Sequence, residues 1–169
     1  MTHVRMRFLA VAMMLAAPVR KAKNFLRRPW FEKAWSTPAW FLLGASRLVI
    51  LFVPFRRLAP FLGAQSYPWV PCATAEGEAR ALSIARVIVM AARHTPWESN
   101  CFAQAVTARI LLGLYDVPYS LFFGIANDSM MEMKAHAWVV AGRVRVTGGE
   151  SFGQFTVVGC FVASVLANA

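Results

Sequence analysis

The sequence predicts an α+β fold, with helices packed on an antiparallel sheet and a basic helical region at the N-terminal end. Two central stretches, 76–93 and 101–114, have the length and apolar spacing of helices. Short apolar runs bounded by glycine and turn residues follow them, as expected for strands. Residues 1–60 contain eleven basic residues against one acidic residue, so the whole net charge of +10 belongs to this third. A chain of 169 residues can bury one good core.

The N-terminal third is basic and rich in aromatic residues, and we expect helices over 1–33 and 38–60, the second beginning at Pro38. Its apolar stretch, 39–55, is shorter than the ~20 residues of a membrane span and contains Arg47. This composition suits an anionic membrane surface, an acidic partner or a solvated basic face. Because the sequence has no recognised nucleic-acid-binding module, no nucleic-acid partner is expected. The predicted location is the cytoplasm, with at most peripheral contact at the inner membrane face.

The main folded core is predicted over 76–169, after an N-terminal region of 1–62 and a linker of 63–75 that contains two prolines. Pro96 favours extended backbone in the residue before it, so the helix over 76–93 should end earlier. The apolar stripe of that helix is expected at Ala81, Leu82, Ala85, Val89 and Ala92.

The next helix is predicted over 101–114, with Ser99 and Asn100 as its natural N-caps. Cys101 would then lie in the first turn, beside free backbone N–H groups and the positive end of the helix dipole. Both features favour the thiolate, and the same N–H groups can stabilise an oxyanion. A small buried structural cysteine is the alternative. Gln104 lies one turn further along the same side.

Strands are predicted over 119–124, 135–140 and 143–147, and the last two form a hairpin that turns at Gly142. His136 belongs to the first strand of the hairpin, where a fixed position can hold an imidazole against a helix start. A hydrogen-bonded core histidine is the other interpretation. The last strand is expected over 155–163.

This order of elements (cysteine helix, glycine-bearing strand, His-Ala-Trp strand, hairpin) resembles the lasso-peptide biosynthesis B2 proteins. Members of that family are transglutaminase-like cysteine proteases that cut the leader from a ribosomally made precursor. The resemblance implies a transglutaminase-like, papain-like cysteine protease core. The segments that carry it are 96–105, 111–124, 135–138 and 146–149.

The resemblance implies that Cys101 is the nucleophile and that His136 is the general base and later the general acid. A third residue, usually an aspartate in the wider superfamily, would orient the imidazole. This chain departs from that pattern, because both of its aspartates precede His136 and the sole acidic residue after it is Glu150. Glu150 is therefore predicted as the third catalytic residue. The hydroxyl of Thr147, a backbone carbonyl and a simple dyad are the alternatives, and Glu150 as a solvated loop residue is the non-functional interpretation.

Four further residues are candidates for binding substrate. Trp97 and Trp138 accompany the two catalytic candidates and either wall a dry pocket or belong to the core. Asn100 and Gln104 flank the thiol on its helix. Cys72 and Cys160 have no activating neighbours, and three cysteines without metal-ligand spacing predict a reduced protein without metal or other cofactor.

The predicted function is removal of the leader peptide from a lasso-peptide precursor by amide hydrolysis. The family resemblance implies three partners: the precursor peptide, a separate leader-recognition protein of the B1 type, and a lasso cyclase. Two alternatives stay open. A transglutaminase-like acyltransferase would use the same cysteine and histidine, whereas a non-catalytic membrane-associated scaffold would need neither.

Overall fold

A computed structural model describes residues 27–127, 133–149 and 151–163. Within these ranges, four α-helices pack on a five-stranded antiparallel sheet, which confirms the predicted α+β class. The helices are α1 (Trp30–Phe52), α2 (Phe55–Leu62), α3 (Ala75–Ala92) and α4 (Cys101–Leu114). The strands are β1 (Ala64–Gln65), β2 (Tyr119–Asn127), β3 (Met133–Ala141), β4 (Val144–Thr147) and β5 (Thr156–Ala163), with a 3₁₀ turn at Ser151–Gln154.

The sheet has the order β1-β5-β2-β3-β4, so β2 lies at its centre. Residues alternate between its two faces, as the pleat requires. Leu121 of β2 and Val139 of β3 belong to the main core, which the helices cover. Phe122, Trp138 and Cys160 form a second buried cluster on the other face. The sheet is therefore apolar on both sides.

Helix α1 begins at Trp30, so the expected start at Pro38 was wrong. Pro38 is exposed inside the helix and removes one backbone hydrogen bond. Tertiary contacts offset that loss, because Trp35 Nε1 donates to the hydroxyl of Tyr115 at 2.7 Å. The predicted helix over 38–60 also divides, since Val53 is extended ahead of Pro54.

Helix α1 is long and apolar enough, by length and composition alone, to cross a membrane. The core helix of a soluble protein passes the same test. Its inner face packs on α3 and α4, so the main core includes Phe31, Ala39 and Leu43. The helices expected within 1–26 lie outside the described residues. The division of the chain into an N-terminal region that ends at 62, a linker that ends at 75 and a core stays a prediction.

Helix α3 confirms the element predicted over 76–93 and the expected burial of Ala81 and Ala85, but two residues of the predicted stripe are exposed. Thr74 caps it by accepting the N–H of Gly77 at 3.1 Å. Leu82 and Val89, expected in the apolar stripe, are each 43% exposed. The inward face is set by contacts with α1, α4 and β4 together, and these contacts leave Leu82 and Val89 outside it. Its buried residues are Ala81, Ile84, Ala85, Val87, Ile88 and Ala91.

The hairpin of β3 and β4 turns at Gly142, as predicted, with a positive φ of 55°. Glu78 of α3 holds this turn in place through two hydrogen bonds. Its carboxylate accepts one from the backbone N–H of Arg143 at 2.9 Å and one from the guanidinium of the same residue at 2.9 Å. These hydrogen bonds hold the pKa of Glu78 below its usual value. The hairpin is thus anchored to α3.

Candidate active site

Cys101 and His136 line one cavity of about 590 Å³. It lies between the start of α4, the start of α2 and strands β2, β3 and β5. Residues distant in sequence therefore meet there. Its other lining residues are Phe55, Gln65, Asn100, Phe102, Phe123, Gly124, Ile125, Ala135, Ala137, Val158, Gly159 and Phe161. The structure therefore brings both catalytic candidates to the same space.

The start of α4 is held by two side chains. Asn100 is the N-cap, and its Oδ1 accepts the N–H of Ala103 at 3.0 Å. Gln104 Nε2 donates to the carbonyl of Ser99 at 2.8 Å and fixes the segment that enters the helix. The first N–H groups of a helix have no partner within it, and among the described residues no partner is found for those of Cys101 and Phe102. The half-buried Cys101 lies where these amides can bind an anion.

The imidazole of His136 is held by a backbone carbonyl. Its Nε2 lies 2.8 Å from the carbonyl oxygen of Gly148. A carbonyl can only accept, so Nε2 must carry the hydrogen, which leaves the lone pair of the neutral ring on Nδ1. The ring also stacks on Phe155, with centroids 4.9 Å apart, and on Trp138 at 5.9 Å. Nδ1 is therefore the atom that can act as a base.

Gly148 can take this place because it has no side chain. Its φ is +97°, and an added Cβ would overlap the Cβ of Trp138 and lie 3.3 Å from His136 Nε2. Thr147 does not orient the ring; it is buried, and its hydroxyl has no hydrogen-bond partner among the described residues. Glu150 lies outside the described residues. Of the candidates for the third catalytic residue, the backbone carbonyl, that of Gly148, is the one that the described residues place beside the imidazole.

The two catalytic candidates border the cavity from different directions. In this part of the chain, no hydrogen bond joins Cys101 to His136. Cys101 packs against the main core, whereas the ring of His136 contacts Trp138 and Phe155 on the other face of the sheet. Catalytic hydrogen bonds are often long or poorly aligned before substrate binds, so the lack of a direct bond does not remove either residue as a candidate.

Of the four candidates for binding substrate, Asn100 alone is among the residues that line this cavity. Trp97 instead packs on Trp40, with ring centroids 4.5 Å apart, and against the backbone of Gly44. Trp138 is buried and stacks on Phe122 at 5.5 Å, so it belongs to the second core cluster. Gln104 supports the helix start rather than the cavity wall.

Sequence reasoning missed the aromatic wall of the cavity. Phe123 is its centre, because its ring lies 5.2 to 5.9 Å from three other phenylalanine rings in edge-to-face geometry. These phenylalanines come from α2, α4 and β5, so no local motif groups them. They are Phe55, Phe102 and Phe161.

The other cysteines lie elsewhere. Cys72 is exposed, and Cys160 is buried under the far face of the sheet, where burial raises the pKa of its thiol. Among the described residues, no three His, Cys, Asp or Glu side chains cluster closely enough to hold a metal ion. The groups at the cavity that can take part in a reaction are a thiol, an imidazole and backbone amides.

A family model described as the transglutaminase-like superfamily matches residues 49–160, about two-thirds of the chain. The matched range includes Cys101, His136 and Gly148, as well as the aromatic wall except Phe161. No curated protein and no solved structure matches the chain.

Proposed function

Because the chain belongs to the transglutaminase-like superfamily, we propose that it is a cysteine peptidase that removes the leader from a lasso-peptide precursor. The superfamily match supports the general kind of protein, a papain-like cysteine protease or acyltransferase fold. The resemblance of 96–105 and 135–138 to the B2 proteins supports the narrower assignment. The observation that carries the proposal is the cavity shared by Cys101 and His136.

In the proposed reaction, the thiol of Cys101 passes its proton to Nδ1 of His136 as sulfur attacks the carbonyl carbon of the substrate. The carbonyl oxygen becomes an oxyanion beside the N–H groups of Cys101 and Phe102. His136 then protonates the departing amine while the C–N bond breaks. Water, deprotonated by the same ring, attacks the carbonyl carbon of the thioester. The C–S bond then breaks, the acid is released, and the imidazolium returns its proton to the thiolate of Cys101.

The carbonyl of Gly148 does part of the work of a third catalytic residue. It fixes which nitrogen of His136 carries the hydrogen, since Nε2 is 2.8 Å away. A neutral carbonyl stabilises the imidazolium less than a carboxylate does, because it carries no net charge.

The cavity wall also bears on the substrate. The four phenylalanines next to Cys101 favour an apolar side chain beside the bond to be cut. The precursor peptide would be presented together with a B1-type leader-recognition protein, and a lasso cyclase would take the product. These partners come from the family resemblance.

The test is mass spectrometry of peptide products. A mixture of apolar-rich peptides is incubated with the wild type, Cys101→Ala and His136→Gln, with and without cadaverine. Hydrolysis adds water to the new acid, whereas acyl transfer adds the amine. Cys72→Ala and His94→Gln are matched controls, because Cys72 is exposed away from the cavity and the His94 ring bonds the carbonyl of Met90 at 2.8 Å.

We expect cleavage by the wild type and both controls, and at least a hundredfold loss in Cys101→Ala and His136→Gln. Products that carry cadaverine would assign the acyltransferase alternative. Equal products from the wild type and Cys101→Ala would contradict a cysteine mechanism and favour the scaffold.

A further inference from the structure

The outer face of α1 is apolar and uncovered in the described part of the chain. Its large side chains are Trp30, Phe41, Leu48 and Phe52, which are between 57% and 80% exposed. At 100° per residue these four positions fall within about 40° of one another, so they form one stripe along the helix. We call them the outer stripe. The gaps between them contain exposed Ala34, Thr37 and Ala45.

The opposite face of α1 packs against the rest of the protein. Phe31, Ala39 and Leu43 are buried in the main core, and Ser46 is hydrogen-bonded to Thr107 at 3.1 Å. A surface helix normally turns a polar face to water, so apolar residues on both faces are unusual. Since the inner face cannot leave the core without exposing it, α1 cannot cross a bilayer while the fold persists.

Positive charge flanks the outer stripe at both ends. Arg27 is exposed just before α1, and Arg56 and Arg57 are exposed at the start of α2, directly after the turn at Pro54. Among the described residues, none of these three arginines forms an ion pair. Exposed Phe61 of α2 lines a groove together with Val49 of α1, which adds apolar surface beside α1. An apolar stripe between unpaired arginines is complementary to a lipid surface with anionic headgroups.

We propose that α1 lies flat on an anionic membrane, with the outer stripe at the boundary of headgroups and acyl chains and the three arginines at the phosphates. The stripe is about 35 Å long at 1.5 Å per residue, which is enough to fix the orientation of the protein. A second copy of the chain is a poorer occupant, because residues 1–60 have eleven basic residues against one acidic residue and two such regions repel. This proposal does not depend on catalysis.

The first test is co-sedimentation of the full chain with vesicles of phosphatidylcholine, with and without phosphatidylglycerol. Leu48→Ser/Phe52→Ser removes two stripe residues without changing charge. Its matched control is Tyr67→Ser/Leu114→Ser, which removes two exposed side chains that do not belong to α1; Tyr67 and Leu114 are 90% and 61% exposed. Residues 1–26 contribute the same charge to every variant.

We expect binding to the anionic vesicles, a loss of about tenfold or more in the stripe variant, and less than twofold change in its control. Arg56→Ser/Arg57→Ser should lose about tenfold and should reduce the effect of phosphatidylglycerol. Wild-type affinity in the stripe variant would overturn the proposal, as would absence of vesicle binding by the wild type.

The second test places a fluorophore in the stripe. Cys72, Cys101 and Cys160 are replaced by serine, Phe52→Cys is labelled with a nitrobenzoxadiazole dye, and emission is recorded with and without vesicles. A blue shift that appears only with anionic vesicles supports the proposal. A blue shift already present without vesicles would show that protein covers position 52, either as a dimer or through another part of the chain, and would overturn it.

Discussion

The carbonyl oxygen of Gly148 lies 2.8 Å from Nε2 of His136, so a backbone group occupies the place next to the imidazole where a carboxylate is usual in the superfamily. The contact depends on a left-handed glycine packed under Trp138. A side chain at position 148 therefore disturbs the protein fold and the orientation of the ring at once.

Gly148→Ala should destabilise the protein by about 3 kcal/mol, since positive φ costs about 1–2 kcal/mol and the new methyl group overlaps Trp138. Gly149→Ala is the matched control. Its φ is +65° and its added Cβ meets nothing within 4 Å, so it should lose only about 1 kcal/mol. Urea unfolding of both variants checks this. Equal losses would contradict the packing argument.

Gly124 lies opposite His136 in the register of β2 and β3. Gly124→Ala should cost about 1–3 kcal/mol, because its Cβ would approach Phe155 Cβ and Trp138 Cζ3 to 2.8 Å. Gly113→Ala, in an exposed and open part of α4, should instead gain about 0.5–1 kcal/mol. Thermal unfolding of the two variants should give shifts of opposite sign, and a stabilised Gly124→Ala would refute the crowding.

The anchor between Glu78 and Arg143 should make stability depend on pH. The hydrogen bonds from Arg143 lower the pKa of Glu78 in the folded state, so the contribution is present above the unfolded value of 4.5 and is lost as pH falls through the folded value. The difference in urea midpoint between the wild type and Glu78→Gln should therefore be largest near neutral pH and shrink toward pH ~3. Glu98→Gln, which removes the exposed pair with Arg47, controls for the lost charge. A difference that is constant with pH would contradict the assignment.

Alkylation should distinguish the three cysteines. Cys160 is 1% exposed, and burial raises the pKa of its thiol, so it should resist iodoacetamide at pH 8 while the protein is folded and react in urea. Exposed Cys72 should react in both states. Peptide mapping by mass spectrometry reads each site separately. Rapid labelling of Cys160 in the folded protein would mean that the far face of the sheet opens.

Local signals explain what the sequence could predict. Asn100 before Cys101 and the turn at Gly142 are encoded within a few residues, so helix α4 and the hairpin were found with correct bounds or nearly so. The start of α1 was missed because Pro38 is tolerated only through contacts such as that of Trp35 with Tyr115, which lies 80 residues away. The exposed face of Leu82 depends equally on distant neighbours.

In the candidate site, too, local sequence signals could be read and contacts between distant residues could not. The sequence singled out Cys101 and His136 by their local contexts, and both line one cavity, while their catalytic roles stay predictions. It could not single out the carbonyl of Gly148, because every residue has a carbonyl. The fold decides which of them lies beside the imidazole. The phenylalanine wall has no sequence signature either, since its members come from four separate elements.

Strand β5 follows all the other strands in the chain, yet it occupies an interior place between β1 and β2. During synthesis the ribosome releases β2, β3 and β4 first, so one edge of the apolar β2 stays unpaired until residues 156–163 emerge. An open apolar edge of this kind invites pairing with other chains. The sheet therefore closes only after translation has passed residue 163, and that interval is when the nascent protein most needs a chaperone.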